Sequence, residues 1–324
     1  MVPFSADYLA GGLFGSGTPL DRDGVLAPYV QLRETMRAEG FELRTVDELT
    51  EPAAAWLHLD SRASRAPDVD PRRTVVVVLE PEVVAPHWYD TIKAGRLDVA
   101  EIHLLSAELA DEDKIRLIRY PQNITIAADS ETPRDLDVVM INSRKRAVRT
   151  TGELYSKRER MAAGLARRGD IAVFGNGWGK ATPRHPVSWW RNLAIGRSDG
   201  GTIGAKADVL RRARFCLCFE NSRHPGYLTE KLFDAMAAGA IPIYLGDPTV
   251  RSTVNAGWVD FTELGSAAAV SAFVRDITAE DEAALRQQGY DWLASPKFAP
   301  FTIDAFCDSI VGSFRRVLAA AEPA

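Results

Sequence analysis

Residues 214–247 read RFCLCFENSRHPGYLTEKLFDAMAAGAIPIYLGD, and this stretch decides the fold. From Arg214 to Glu220, Phe215, Leu217 and Phe219 alternate with Cys216, Cys218 and Glu220, the period of a strand buried on at least one face. From Leu228 the apolar spacing changes to Leu228, Leu232 and Met236, a helical stripe that stops at Gly239, a residue suited to ending a helix. Ile241 to Leu245 then predicts a second buried strand. Strand, helix and strand in so short a span predict a βαβ unit, with parallel strands and a right-handed crossover. The joint between Glu220 and Lys231 therefore lies at the carboxyl end of a strand and the amino end of a helix, where α/β sheets receive anionic ligands.

Polar residues crowd this joint: Glu220, Asn221, Ser222, Arg223, His224, Tyr227, Thr229, Glu230 and Lys231. Taken singly, Thr229, Glu230 and Lys231 read as a polar first turn, and Asn221 and Ser222 as turn formers. Taken together, FENSxxxxYxTEK followed by a small-residue helix and IPIYxG resembles the signature of the α-1,3/1,4-fucosyltransferases, glycosyltransferases of bacterial and animal origin that use GDP-fucose. Phe219, Glu220, Asn221, Ser222, Tyr227, Thr229, Glu230 and Lys231 match it, as do Lys206, Ile241-Pro242-Ile243 and Gly246. Many members carry Asp directly before the Tyr, where this chain has Gly226; bacterial members resemble it in that respect.

The resemblance implies an α/β fold of GT-B type, two Rossmann-like domains facing each other across a cleft. It implies an inverting transfer of L-fucose from GDP-fucose to a glycan hydroxyl, with no cofactor required. Asn221, Tyr227, Glu230 and Lys206 are expected on the donor, Glu230 near its ribose or sugar and counted with the catalytic groups. A diphosphate leaving group needs its charge neutralised as the sugar bond breaks. Helix-start N–H groups and one fixed ammonium, for which Lys231 is the candidate, supply that without a metal.

The other expected base stands in the amino-terminal half. TVVVVL, residues 74–79, is a continuous β-branched run and predicts a strand buried on both faces of a parallel sheet. It ends in Glu80-Pro81-Glu82, and Pro81 cannot extend the ladder. Family members carry a Gly-Glu-Asn step at the corresponding strand end, whose Glu is taken as general base. That role carries to Glu80, with Glu82 the alternative, although Leu79 and Pro81 replace the neighbours. Burial beside the strand is expected to raise Glu80 toward the working pH.

In chain order, residues 1–24 are rich in glycine (Gly11, Gly12, Gly15, Gly17) but lack the Lys-Ser or Lys-Thr of a phosphate loop, and read as an acceptor-side loop. Residues 25–39 predict an amphipathic helix; 41–46 and 56–59 predict short strands. Residues 84–93, 99–105 and 124–127 continue the α/β alternation, with His87, Trp88 and Tyr89 either stacking on an acceptor sugar or packing a helix on the sheet. The polar stretch 128–136 reads as a linker. This predicts an acceptor-side domain over 1–132, a donor domain over 133–300, and a closing helix over 301–324 that packs back across the domains.

The donor domain opens with a strand at 137–142, followed by the basic run of Arg144, Lys145, Arg146, Arg149, Lys157, Arg158 and Arg160. A basic run is usually a solvated face; here it straddles a strand end and the next helix. The resemblance gives Arg158 a contact with the donor phosphates, with Arg149 as the alternative. Residues 171–174 predict a strand, and 175–202 a long loop carrying Trp178, Trp189 and Trp190, expected to touch donor or acceptor. Helices are predicted over 250–254, 267–277, 281–293 and 303–320.

With 324 residues and 46% hydrophobic content, the chain is long enough for two cored domains. A formal charge of −5 argues against nucleic acid as the partner. Three cysteines, two of them on one face of a strand, form neither a disulfide framework nor a zinc spacing, and are expected buried and reduced. Asp68-Val-Asp70 and Asp135-Leu-Asp137 sit at the wrong places for a metal–diphosphate site, so no metal ligand is expected. No apolar run is long enough to span a bilayer, and the start has no basic n-region. A bacterial, cytoplasmic enzyme is expected, acting on a glycan, lipid-linked or small-molecule acceptor, with peripheral membrane contact compatible. Another nucleotide-sugar donor, or a glycan- or nucleotide-binding relative without turnover, remains the alternative.

Overall fold

The computed structural model describes residues 10–15, 21–59, 70–111, 113–127, 132–178, 193–201 and 204–321. The chain divides into two compact units: Met1–Asn123 with Ala299–Ala324, and Ile124–Phe298.

In the first unit, α1 (Ala27–Ala38) precedes β1 (Trp56–Leu59), β2 (Thr74–Val78), α2 (Pro86–Lys93), β3 (Glu101–Leu104) and β4 (Ile115–Leu117). The four strands are parallel, in order β1-β2-β3-β4. Every residue of β2 is buried, as a strand covered on both faces requires. Trp88 and Tyr89 of α2 are buried and pack with Val76, Val78, Ile102 and Leu104, so the packing reading holds for both. The strand expected over 41–46 is absent. Residues 41–45 are irregular and run into a 3-10 turn, Val46–Glu48; residues 124–127 are also irregular, Ala127 N–H reaching only the Ala237 carbonyl. Conversely, the edge strand β4 gave too short a pattern to predict.

The second unit contains β5 (Leu136–Ile141), α3 (Tyr155–Ala166), β6 (Ala172–Phe174), α4 (Lys206–Arg212), β7 (Ala213–Phe219), α5 (Glu230–Ala237), β8 (Ile241–Leu245), β9 (Val259–Asp260), α6 (Ala267–Asp276) and α7 (Ala279–Ala294). Its strands are all parallel, in order β6-β5-β7-β8-β9. The chain passes from β5 outward to β6 and then back to β7 on the other side, so the direction of winding reverses between β5 and β7. A crevice at the carboxyl ends of these two strands follows from that reversal.

On one face of this sheet, Gly164 of α3 lies so close to α6 that a Cβ there would come within 2.7 Å of Ala267 Cβ. Elsewhere in the unit, Phe233 of α5 stacks on Trp292 of α7, ring centroids 5.7 Å apart. Gly239 ends α5 with φ +74°: its N–H bonds the Met236 carbonyl and that of Ala240 bonds Ala235, a Schellman closure. Cys216, Cys218 and Cys307 are buried free thiols.

After the second unit the chain returns to the first as α8 (Ile303–Ala321). Phe306 meets Tyr29 of α1 edge-on, and Ser313 and Arg316 bond the buried Glu101 carboxylate of β3 at 2.7 Å each. Burial opposes ionisation of Glu101, but Arg316, Ser313 and Arg116 outweigh it and hold the group at about 2. No helix among the described residues is long and apolar enough to cross a membrane.

Candidate functional site

The strand–helix joint is built around one buried carboxylate. Glu220 directly follows β7 and is fully buried. Its Oε1 accepts the Thr229 backbone N–H at 2.8 Å, and its Oε2 accepts the Thr229 hydroxyl at 2.8 Å and the Lys231 ammonium at 3.1 Å. Gly246, after β8, makes room for it: a Cβ there would stand 2.4 Å from Glu220 Cγ and 2.3 Å from the Tyr244 hydroxyl. Only glycine fits, which gives the Gly of IPIYxG a steric reason.

Lys231 is nearly buried and also donates to Thr229 Oγ1 at 2.8 Å and Glu230 Oε1 at 3.4 Å. Burial pulls its basicity down, but Glu220 and Glu230 outweigh that and raise it, so the ammonium is a fixed charge. Glu230 opens α5, with a third of its side chain exposed. Burial opposes its ionisation; Lys231 and Lys206 prevail and hold it at about 2. Lys206, the first residue of α4, bonds Asp234 at 2.7 Å, one turn along α5 from Glu230. Burial pushes Asp234 up, against the pull of Lys206.

Arg158 reaches the same joint from α3. Its Nη2 donates to the Phe219 and Glu220 carbonyls at 2.6 and 3.0 Å and to Asn221 Oδ1 at 3.2 Å. Asn221 Nδ2 in turn donates to the Tyr227 hydroxyl at 3.2 Å. Arg158 is 3% exposed, and its Nε has no hydrogen-bond partner among the described residues. The segment before α3 is stitched to the joint: Leu154 N–H bonds the Asn221 carbonyl at 3.0 Å and Arg223 N–H bonds Gly152 at 3.0 Å.

Arg158, Lys206, Asn221, Tyr227, Glu230 and Lys231, six sequence-predicted residues, thus gather around the carboxyl end of β7 and the start of α5. Three cations and three carboxylates (Glu220, Glu230, Asp234) balance there. A compensated cluster around an open helix start can take an anionic ligand without holding uncompensated charge when empty.

The family model described as glycosyltransferase family 10 (fucosyltransferase), C-terminal part, matches residues 143–308, just over half of the chain. The chain belongs to this family. Among curated relatives, the α-(1,3)-fucosyltransferase FucT of Helicobacter pylori is 43% identical over 56 residues, 17% of this chain and 12% of that protein. Human α-(1,3)-fucosyltransferase 7 is 38% identical over 88 residues, 25% of each. The chain therefore aligns with a quarter or less of these relatives' length. Among solved structures, an α1,3-fucosyltransferase with GDP aligns with 94% of this chain and 86% of its own, at TM-score 0.50 and 12% identity. A Staphylococcus aureus TarM complex containing UDP aligns with 76% and 52%, at TM-score 0.52 and 9% identity. At such identities the likeness is one of fold: two Rossmann-like units of GT-B type.

Gly226, where many family members carry Asp, has φ +87°, a conformation that favours glycine. Glu80 stands half-buried at the end of β2 in the first unit, its carbonyl accepting the Tyr89 hydroxyl at 3.2 Å. The alternative, Glu82, is paired with Lys93 at 2.6 Å. Arg149 is half-buried in the irregular segment before α3. Trp178 is a core residue whose indole N–H bonds the Asn142 carbonyl; Trp189 and Trp190 lie outside the described residues. So do Asp68, Gly17 and much of the expected linker. Asp135 and Asp137 bind Arg212 and Arg214. Of the amino-terminal glycine loop, Ala10 N–H bonds Asp47 and Gly11 N–H bonds Thr45, leaving these amides to the protein itself.

Sequence reasoning passed over Glu220, Thr229 and Asp234 as site builders. Glu220 and Thr229 were visible only as motif letters, and Asp234 only as one more polar position on a helix.

Proposed function

We propose that this chain is an inverting glycosyltransferase that moves L-fucose from GDP-fucose to a hydroxyl of a glycan acceptor. The observation that carries this reading is the gathering of Arg158, Asn221, Tyr227, Glu230 and Lys231 around the start of α5, within the segment that matches the family. In this reading the second unit holds the donor. The α5 start, Arg158 and Lys231 stabilise the diphosphate as it leaves. Glu230, ionised throughout the physiological range, accepts hydroxyl donors of the ribose or sugar. The first unit holds the acceptor, and Glu80 takes the proton from its attacking hydroxyl. Glu82, paired with Lys93 at 2.6 Å, is the alternative base.

Thermal unfolding with GDP, GDP-fucose, GDP-mannose, UDP and UDP-sugars tests the donor. A ligand at 100 times its Kd adds about 2.7 kcal/mol of stability, an easily measured rise in Tm. Stabilisation by GDP and GDP-fucose is expected; stabilisation by uridine compounds alone overturns the fucose assignment. Glu80→Gln is expected to abolish transfer in a product assay while GDP still raises the Tm. Retained transfer would remove the base from Glu80.

A further inference from the structure

We infer that Glu220 is a positioning residue that keeps the start of α5 open for a diphosphate by holding the Thr229 hydroxyl away from its own helix. The inference rests on the proposed donor reading of this joint.

Thr229 is the N-cap residue of α5, with the extended backbone (φ −111°, ψ −168°) that capping residues adopt, yet its side chain accepts no N–H of the first turn. Its hydroxyl instead donates to Glu220 Oε2 at 2.8 Å and accepts from the Lys231 ammonium at 2.8 Å. The Thr229 N–H also goes to Glu220, at 2.8 Å, so backbone and side chain of the cap are both held from the strand side. A helix start by itself is no site. A second feature points to a ligand: Arg158 is 3% exposed, its Nη2 bonds the Glu220 carbonyl and Asn221 Oδ1 at the joint, and its Nε finds no acceptor among the described residues. A buried guanidinium N–H without an acceptor is costly, and a phosphate oxygen at the joint would satisfy it.

Without Glu220, a rotation of the Thr229 side chain brings its oxygen to the first-turn N–H groups and caps the helix. The anion would then compete with an internal cap. Glu220 therefore touches no reacting atom in this scheme; it acts through Thr229.

The test is calorimetric titration of GDP into wild type, Glu220→Ala, Thr229→Val and the double variant, each checked for cooperative unfolding. Glu220→Ala is expected to bind GDP about tenfold more weakly, the scale of one helix cap. Adding Thr229→Val removes the competing hydroxyl and is expected to restore most of that loss; release of Lys231 is common to both variants and cancels. A double variant no tighter than Glu220→Ala overturns the inference, as does unchanged binding by Glu220→Ala. If Glu220→Ala does not fold, Glu220→Gln, which keeps the volume of the side chain, takes its place: it is expected to weaken GDP binding severalfold, and Thr229→Val on that background to recover most of the loss, while no recovery overturns the inference. Wild type that binds no GDP overturns the donor reading instead, and this inference with it.

Discussion

Among the helices of the second unit that start on threonine, α7 and α5 use that residue in opposite ways. Thr278, at the start of α7, accepts the Asp281 N–H at 3.0 Å and donates to the Asp281 carboxylate at 2.7 Å, closing its helix in the usual local way. Thr229, at the start of α5, has similar extended backbone angles but turns its hydroxyl to Glu220, nine residues earlier in the chain and just past the end of β7. The first helix start is finished by its own sequence. The second is kept unfinished by a tertiary contact, and the Thr229 side chain caps none of the N–H groups of its first turn. The difference separates a residue that stabilises a helix from one arranged to leave it receptive.

The largest effect on this contrast is expected from Lys231→Ala. It leaves Glu220 buried without its counter-ion, a loss on the order of 3–5 kcal/mol by urea unfolding. Turnover should fall by ~10²–10³ if the ammonium serves the departing diphosphate. Stability loss with unchanged kcat would reduce Lys231 to a structural partner of Glu220. Acid should separate the two starts next. Glu230 has a folded value of about 2 against an ordinary 4.5. A depressed carboxyl contributes its stability in full above the unfolded value and loses it as pH falls through the folded one, so the loss belongs to the window from about 4.5 down to about 2. Glu101 adds a loss over the same range in the first unit. Glu230→Gln should flatten part of the slope of stability against pH, and a third of the side chain being exposed, salt should shrink the effect. An unchanged slope would mean that Lys206 and Lys231 do not hold Glu230 ionised. The smallest effect is expected at the other start: Thr278→Ala should cost about 1 kcal/mol in unfolding and leave GDP binding as it was. A change in GDP affinity there would erase the distinction between the two threonines.

Much of this was legible in the chain itself. The period of two before Glu220, the helical stripe from Leu228 and the glycine after it give strand, helix and cap, because backbone geometry and burial are written locally. The unbroken run of valines in β2 announced a strand covered on both faces. Where the pattern misled, pairing decided. Phe41 and Leu43 alternate with Glu42 and Arg44 but have no neighbouring strand among the described residues, while Ile115–Leu117 is a strand because β3 lies beside it. Alternation states only that a segment can be a strand; the ladder exists when a partner supplies the hydrogen bonds.

For the site, the sequence by itself determined which residue types stand at a strand end and a helix start, and the family those letters belong to. Tertiary structure alone decided their partners. It set the Arg158 guanidinium on the carbonyls that end β7, placed Lys206 on Asp234, and gave Glu220 to Thr229 and Lys231. Those pairings join residues from four different elements, and no local spacing encodes them. They arise because parallel strands bring separate connections to one edge of a sheet, where each buried charge must find its partner across the fold.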